Sequence, residues 1–98
     1  MYFIVRCQDY ADKLAVRQEF TADHKAFLAK YSEQILVPGT LFLEEGGAAQ
    51  GSIWIVKADS KEEVNQICLQ DPFRINGLRK SVEIFIWNRV FPDKEVTL

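Results

Sequence analysis

The sequence predicts a small α+β fold of the ferredoxin-like type, with the element order β-α-β-β-α-β. Its 98 residues suffice for a single domain over residues 1–98. Short runs rich in aromatic and β-branched residues predict four strands, and two longer segments carry apolar residues at helical spacing. Two right-handed β-α-β connections then give a four-stranded antiparallel sheet with both helices on one face.

The first strand and the first helical region occupy the opening third of the chain. Tyr2 to Gln8 reads as a strand. The helical pattern that follows runs to about Gln34. Asp9, Asp12 and Thr21 each offer an N-cap oxygen, so this region is either one helix or two helices joined near Thr21.

Two strands joined by a loop follow. Ile35 to Leu43 is the second strand, and its Pro38-Gly39 pair predicts an edge position or a bend, because proline cannot donate to a sheet ladder. Glu44 to Gln50 has no apolar anchor and forms the connecting loop or turn. Gly51 to Ala58 is the third strand.

The last third begins with a capping box, in which Ser60 is followed three residues later by Glu63. This motif opens a second helix from Lys61 to Leu69. Asp71-Pro72 starts a further turn, and Val82 to Trp87 is the fourth strand. Residues 88–98 form a C-terminal tail.

Both faces of the predicted sheet are apolar. In the third strand, for example, Ile53 and Ile55 alternate with Trp54 and Val56. An antiparallel sheet with one solvated face would alternate apolar and polar residues. We therefore expect the face away from the helices to be covered by a second copy of the chain, which makes a homodimer.

Composition excludes several classes of function. Twelve basic and fourteen acidic residues are scattered along the chain, so no basic patch for nucleic acid is present. No segment approaches the ~20 apolar residues of a membrane helix. The N-terminus does not resemble a signal peptide, and two cysteines do not make the disulfide framework of a secreted protein, so we expect a cytoplasmic protein. We expect Cys7 and Cys68 to be buried as free thiols. One histidine and two separated cysteines argue against a metal site. The sequence has no glycine-rich phosphate loop, so we expect no cofactor.

His24, the single histidine, is the strongest candidate for chemistry. It lies on the apolar stripe of the first helical region, which is formed by Val16, Phe20, Phe27, Leu28, Tyr31 and Ile35. Imidazole changes charge near neutral pH, and its burial requires hydrogen-bond partners. Asp71 is the best candidate partner. The alternatives are a histidine with a purely structural hydrogen bond and an aspartate that only caps the turn beginning at Pro72.

Two further residues are candidates for substrate binding. Ser52 could donate to a substrate oxygen, although a serine at the start of a strand is often only a turn residue. Arg17 lies two helical turns before His24 on a similar face and could reach an anionic group. A solvated charge or a salt bridge is the alternative for Arg17.

An ordered set of residues resembles the YciI-like (YCII-related) family. The set comprises Gln8-Asp9-x-Ala11-Asp12, Arg17, His24, Gly51-Ser52, Asp71-Pro72-Phe73 and Gly77. The resemblance implies a dimeric α+β barrel, in which two ferredoxin-like sheets face each other, and a pocket with a His–Asp pair carried by His24 and Asp71, with Ser52 and Arg17 nearby. One branch of that family acts as a dehydrochlorinase on a chlorinated hydroquinone.

The chain departs from the family pattern at two positions. Thr21 stands where many members have a second arginine, and Thr40 follows Gly39 where many have proline. Losing an arginine removes a strong anion contact, which argues against a strongly acidic substrate.

Three functions fit these residues. The first is a cofactor-free lyase or isomerase that uses His24 and Asp71 for proton transfer on a small cyclic or aromatic hydroxylated or carbonyl compound. The second is a small-ligand-binding module with the same pocket and no turnover. The third is a dimerisation module whose polar pair serves only stability.

Overall fold

The computed structural model describes residues 1–98 and contains a four-stranded sheet and three helices. The elements are β1 (Tyr2–Asp9), α1 (Leu14–Lys30), β2 (Ile35–Phe42), β3 (Ala49–Lys57), α2 (Lys61–Cys68), α3 (Pro72–Ile75) and β4 (Arg79–Trp87), with a 3₁₀ turn (Ala11–Lys13) before α1. The strands are antiparallel in the order β2-β3-β1-β4. This topology confirms the predicted ferredoxin-like α+β fold.

The core lies between one face of the sheet and the helices. Every second residue of β1 points into it, and Trp54 and Val56 of β3 lie beside them in register. The buried cluster consists of Phe3, Val5, Cys7, Phe27, Ile35, Trp54, Val56, Ala58, Val64, Ile67 and Cys68. The predicted alternation of β3 is therefore correct, with Trp54 and Val56 facing the helices.

The first helical region is one helix, α1, and its predicted caps are wrong. Thr21 does not start a second helix, because its hydroxyl donates to the carbonyl oxygen of Arg17 within α1. Neither Asp9 nor Asp12 caps the 3₁₀ turn that precedes α1. The carboxylate of Asp9 instead accepts from two arginines, Arg17 and Arg79.

The caps predicted in the last third are present. Ser60 Oγ accepts a hydrogen bond from the backbone N–H of Glu63 at 3.1 Å and opens α2. Asp71 caps α3 by accepting from the N–H of Phe73 at 3.0 Å, with Pro72 at the first helical position. The positive φ of Gly77, 82°, lets the chain turn from α3 into β4.

The strand boundaries differ slightly from the predicted ones. β2 is an edge strand, as predicted, and its pairing with β3 is irregular near both ends. β3 begins two residues before Gly51, and a Cβ at Gly51 would lie 1.9 Å from the carbonyl oxygen of Cys7. Only glycine therefore lets β3 approach β1 at this point. β4 begins at Arg79, three residues before the predicted start.

The sheet face away from the helices is open and apolar. Tyr2, Val37, Leu41 and Phe85 are exposed there, and Ile53 and Ile55 are half-buried. The tail after β4 is exposed and contains no helix or strand. None of the helices has the length and apolar character needed to cross a membrane.

Candidate functional site

A cavity of about 180 Å³ lies where α1 meets the β2 and β3 end of the sheet. Pockets for drug-sized ligands typically have volumes of about 300 to 1,000 Å³. The smaller volume of this cavity suits a compound the size of a single ring. Polar side chains share the lining with apolar ones. The lining consists of Arg17, Thr21, His24, Lys25, Leu28, Pro38, Gly39, Thr40, Ser52, Trp54 and Phe73.

The side chain of His24 reaches this cavity from α1. Asp71 lies behind His24, on the side away from the cavity. Nδ1 of His24 is 2.8 Å from Oδ1 of Asp71, a distance typical of a charge-assisted hydrogen bond. The His24 side chain is 10% exposed, whereas that of Asp71 is 2% exposed and does not line the cavity. The structure thus brings together the two residues that the sequence singled out, 47 positions apart.

Aromatic side chains fix the orientation of the imidazole ring. Phe73 stacks on His24 with centroids 4.0 Å apart and an angle of 17° between the ring planes. Phe27 and Trp54 lie farther away, at 6.1 and 6.2 Å. Because Phe73 follows Asp71 by two residues in the same capped turn, one local structure positions both the carboxylate and the stacking ring.

The environment of Asp71 determines which imidazole nitrogen carries the proton. Burial opposes ionisation, but hydrogen bonds from His24 and the N–H of Phe73 and the charge of Arg79 outweigh it and lower the pKa of Asp71. An ionised carboxylate only accepts hydrogen bonds, so Nδ1 of His24 must be the donor. In the neutral imidazole, Nε2 is then unprotonated, and no protein group is hydrogen-bonded to it. This is the protonation state that a general base requires.

Ser52 and Arg17 both line the same cavity, as expected for substrate-binding residues. Ser52 Oγ is buried without a hydrogen-bond partner, although the residue is only 3% exposed. Buried hydroxyls nearly always have a hydrogen-bond partner. Since the hydroxyl of Ser52 has none in the protein, it is free to bond to a ligand in the cavity. Arg17 forms an ion pair with Asp9 at 2.7 Å and lies over the ring of Phe73. Arg17 therefore lines the cavity and also forms a salt bridge with Asp9.

Sequence reasoning missed Arg79 and misassigned Asp9. Arg79 is buried and donates to both Asp71 and Asp9. Its position depends on a bulge, since Gln8 pairs with Ser81 but Asp9 pairs with Arg79, which leaves Lys80 as the extra residue. The bulge sets Arg79 opposite Asp9, and no local sequence pattern signals it.

The remaining reactive side chains offer little chemistry at neutral pH. Burial raises the pKa of Cys7, with Arg79 opposing the change, and burial raises the pKa of Cys68 to about 12. Both thiols are buried and unpaired, as predicted, and they are poor nucleophiles while protonated. No group of three or more His, Cys, Asp or Glu side chains is arranged to hold a metal ion.

Comparison with protein families identifies the chain. Residues 1–88 match the model of the YCII-related domain, so the chain belongs to that family. The predicted family resemblance is thereby confirmed. A comparison with curated proteins gives no match.

Two solved structures are similar to this fold. One is 5-chloro-2-hydroxyhydroquinone dehydrochlorinase (TftG) from Burkholderia phenoliruptrix AC1100 in complex with 2,5-dihydroxybenzoquinone. It is 29% identical with a TM-score of 0.82, over 90% of this chain and 94% of that one. The other, protein Atu4242 from Agrobacterium tumefaciens, is 13% identical with a TM-score of 0.46, over 94% of this chain and 98% of that one. The second structure is too distant to bear on function.

Proposed function

We propose that this member of the YCII-related family is a lyase that removes a proton and a leaving group from a small hydroxylated or carbonyl ring compound. The observation that carries the proposal is the 2.8 Å contact of His24 Nδ1 with the buried carboxylate of Asp71 at the wall of the cavity. The dehydrochlorinase with the same fold, which was solved with a dihydroxybenzoquinone, supports this class of substrate.

In the proposed reaction His24 is the general base. Its Nε2 takes a proton from the bound ring compound, and the electron pair left behind forms a new double bond. The leaving group departs with the electron pair of its own bond, so the substrate loses one proton and one anion. Asp71 stabilises the imidazolium that forms, as the carboxylate does in a catalytic triad.

Ser52 and Arg17 bind the oxygens of the ring in this proposal. The unpartnered hydroxyl of Ser52 donates to one ring oxygen. Arg17 donates to another, but Asp9 already neutralises most of its charge. Phenolic and carbonyl oxygens suit such a site better than a strongly acidic group, in agreement with Thr21 standing where many relatives have a second arginine.

The apolar open face of the sheet supports a homodimer. Tyr2, Val37, Leu41 and Phe85 are exposed on this face, and Ile53 and Ile55 are half-buried there. Exposed apolar patches of this kind mark protein interfaces, and a second copy of the same sheet is self-complementary across a two-fold axis.

A panel of ring compounds tests the proposed activity on the unmodified protein. The panel contains halogenated di- and trihydroxybenzenes, with the same rings without halogen as matched controls. Released halide and the absorbance of the product are measured, and binding is measured by calorimetry on the controls. We expect halide release that depends on enzyme concentration for at least one ring. Binding without any chemical change would favour the ligand-binding module, and no binding would contradict both functions.

A further inference from the structure

A chain of buried ionic contacts connects the two charged groups that we place at the substrate. Asp71 accepts from His24 with Oδ1 and from Arg79 Nε with Oδ2, at 2.8 and 3.2 Å. Asp9 accepts from Arg79 Nη1 with Oδ1 and from Arg17 Nη2 with Oδ2, at 2.8 and 2.7 Å. Each carboxylate therefore gives one oxygen to a cavity residue and the other to Arg79.

Arg79, Asp71 and Asp9, in the middle of this network of ionic contacts, are inaccessible to a ligand in the cavity. The side chains of Arg79, Asp71 and Asp9 are 1%, 2% and 4% exposed, and none of them lines the cavity with His24. Any effect of Arg79 or Asp9 on substrate must therefore pass through His24 or Arg17. The planar fork of arginine can hold two carboxylates at fixed directions, which an ammonium group cannot do equally well.

We propose that Arg79 and Asp9 are positioning residues that hold His24 and Arg17 at a fixed spacing and couple their charges. The proposal rests on the proposed function only for the roles of His24 and Arg17 toward substrate. Two carboxylates and two guanidiniums balance, so the imidazolium is the one uncompensated charge in the network. Arg79 competes with His24 for Asp71 and thereby limits how strongly that carboxylate favours the imidazolium.

Other charged and titratable groups lie around this network of ionic contacts. Cys7 on β1 and Cys68 on α2 are protonated, because burial raises the pKa of each thiol. Lys25 lines the cavity beside His24, and Arg74 of α3 lies near Cys68. Together with the ionic contacts, the charged and titratable groups placed at the network are Asp9, Arg17, Lys25, Cys7, Cys68, Asp71, Arg74 and Arg79. Arg79→Met and Asp9→Asn change only residues of this ionic network that do not line the cavity of His24.

The single histidine makes the coupling directly measurable. The Cε1–H resonance of His24 is followed against pH by NMR in the wild type, Arg79→Met and Asp9→Asn. Without Arg79, Asp71 has His24 as its remaining charged partner, and the titration midpoint should rise by about 1 pH unit. Without the charge of Asp9, Arg79 can turn more fully to Asp71, and the midpoint should fall. Opposite shifts distinguish coupling from a general loss of structure.

Two further variants keep the test decisive. Arg79→Lys retains the charge and should give a midpoint between those of wild type and Arg79→Met, which covers the case in which Arg79→Met does not fold. Arg6→Met removes the other arginine–carboxylate pair between β1 and β4, the half-exposed contact with Glu83, and should leave the midpoint unchanged. Midpoints of Asp9→Asn and Arg79→Lys equal to that of Arg6→Met would overturn the proposal. These titrations need no substrate, so their failure is distinguishable from an absence of turnover.

Discussion

Asp71→Asn removes the charge behind His24 while it preserves the shape of the side chain. The amide oxygen can still cap α3 and face His24, but the amide NH₂ then points at the N–H of Arg79, donor against donor. Removing one partner of a buried ion pair costs about 3 to 5 kcal/mol, and because Arg79 keeps Asp9 we expect the lower end, about 3 kcal/mol. For a domain of this size, that loss lowers Tm by about 12 °C or more.

The cost of Asp71→Asn should also depend on pH. Burial works against the charge of Asp71, yet the His24 bond and Arg79 hold its pKa below the ordinary 3.8. A carboxylate whose pKa is lowered in the folded state contributes its stability above the unfolded pKa and loses it as pH falls through the folded pKa. The difference between wild type and variant should therefore be full at pH 7 and shrink below about pH 4.

Urea unfolding of both proteins at several pH values between 7 and 3 measures this difference. Glu62→Gln, an exposed carboxylate in the first turn of α2, is the matched control and should change stability little. A difference below about 1 kcal/mol at pH 7 would refute the assigned buried ion pair. A difference that stays constant down to pH 3 would refute the lowered pKa.

Three further predictions concern binding, packing and assembly. Ser52→Ala should raise KM about five- to tenfold with little change in stability, because Ser52 Oγ has no hydrogen-bond partner in the protein. Steady-state kinetics measures KM and a melting curve measures stability. A large loss of stability in Ser52→Ala would contradict this prediction. Gly51→Ala should cost about 3 kcal/mol or more in urea unfolding, since its Cβ would lie 1.9 Å from the carbonyl oxygen of Cys7, and an unchanged midpoint would contradict the contact. Light scattering should give twice the chain mass for wild type and the single-chain mass for Phe85→Glu on the open sheet face; a wild-type monomer would exclude the homodimer.

The sequence identified the residues whose signals are local. His24 was evident as a polar residue within an apolar helical stripe, and Asp71 as a cap followed by proline. The ferredoxin-like topology followed from element order, and the edge position of β2 from its proline and glycine.

Residues whose roles depend on long-range pairing were not predicted. Asp9 has the local signature of a helix cap, but its partner Arg79 is 70 positions away. Arg79 lies opposite Asp9 because of the bulge at Lys80, which depends on how β4 pairs with β1. An arginine before a predicted strand carries no sign of burial, since arginine is usually exposed.

The turnover of His24→Gln tests most directly whether this imidazole transfers the proton. Glutamine keeps a polar side chain in the cavity wall but cannot act as a base near neutral pH. On a ring compound that the wild type converts, we expect kcat to fall by about 10² to 10⁴ while the compound still binds. A kcat of His24→Gln within a fewfold of the wild-type value would show that another group performs the chemistry.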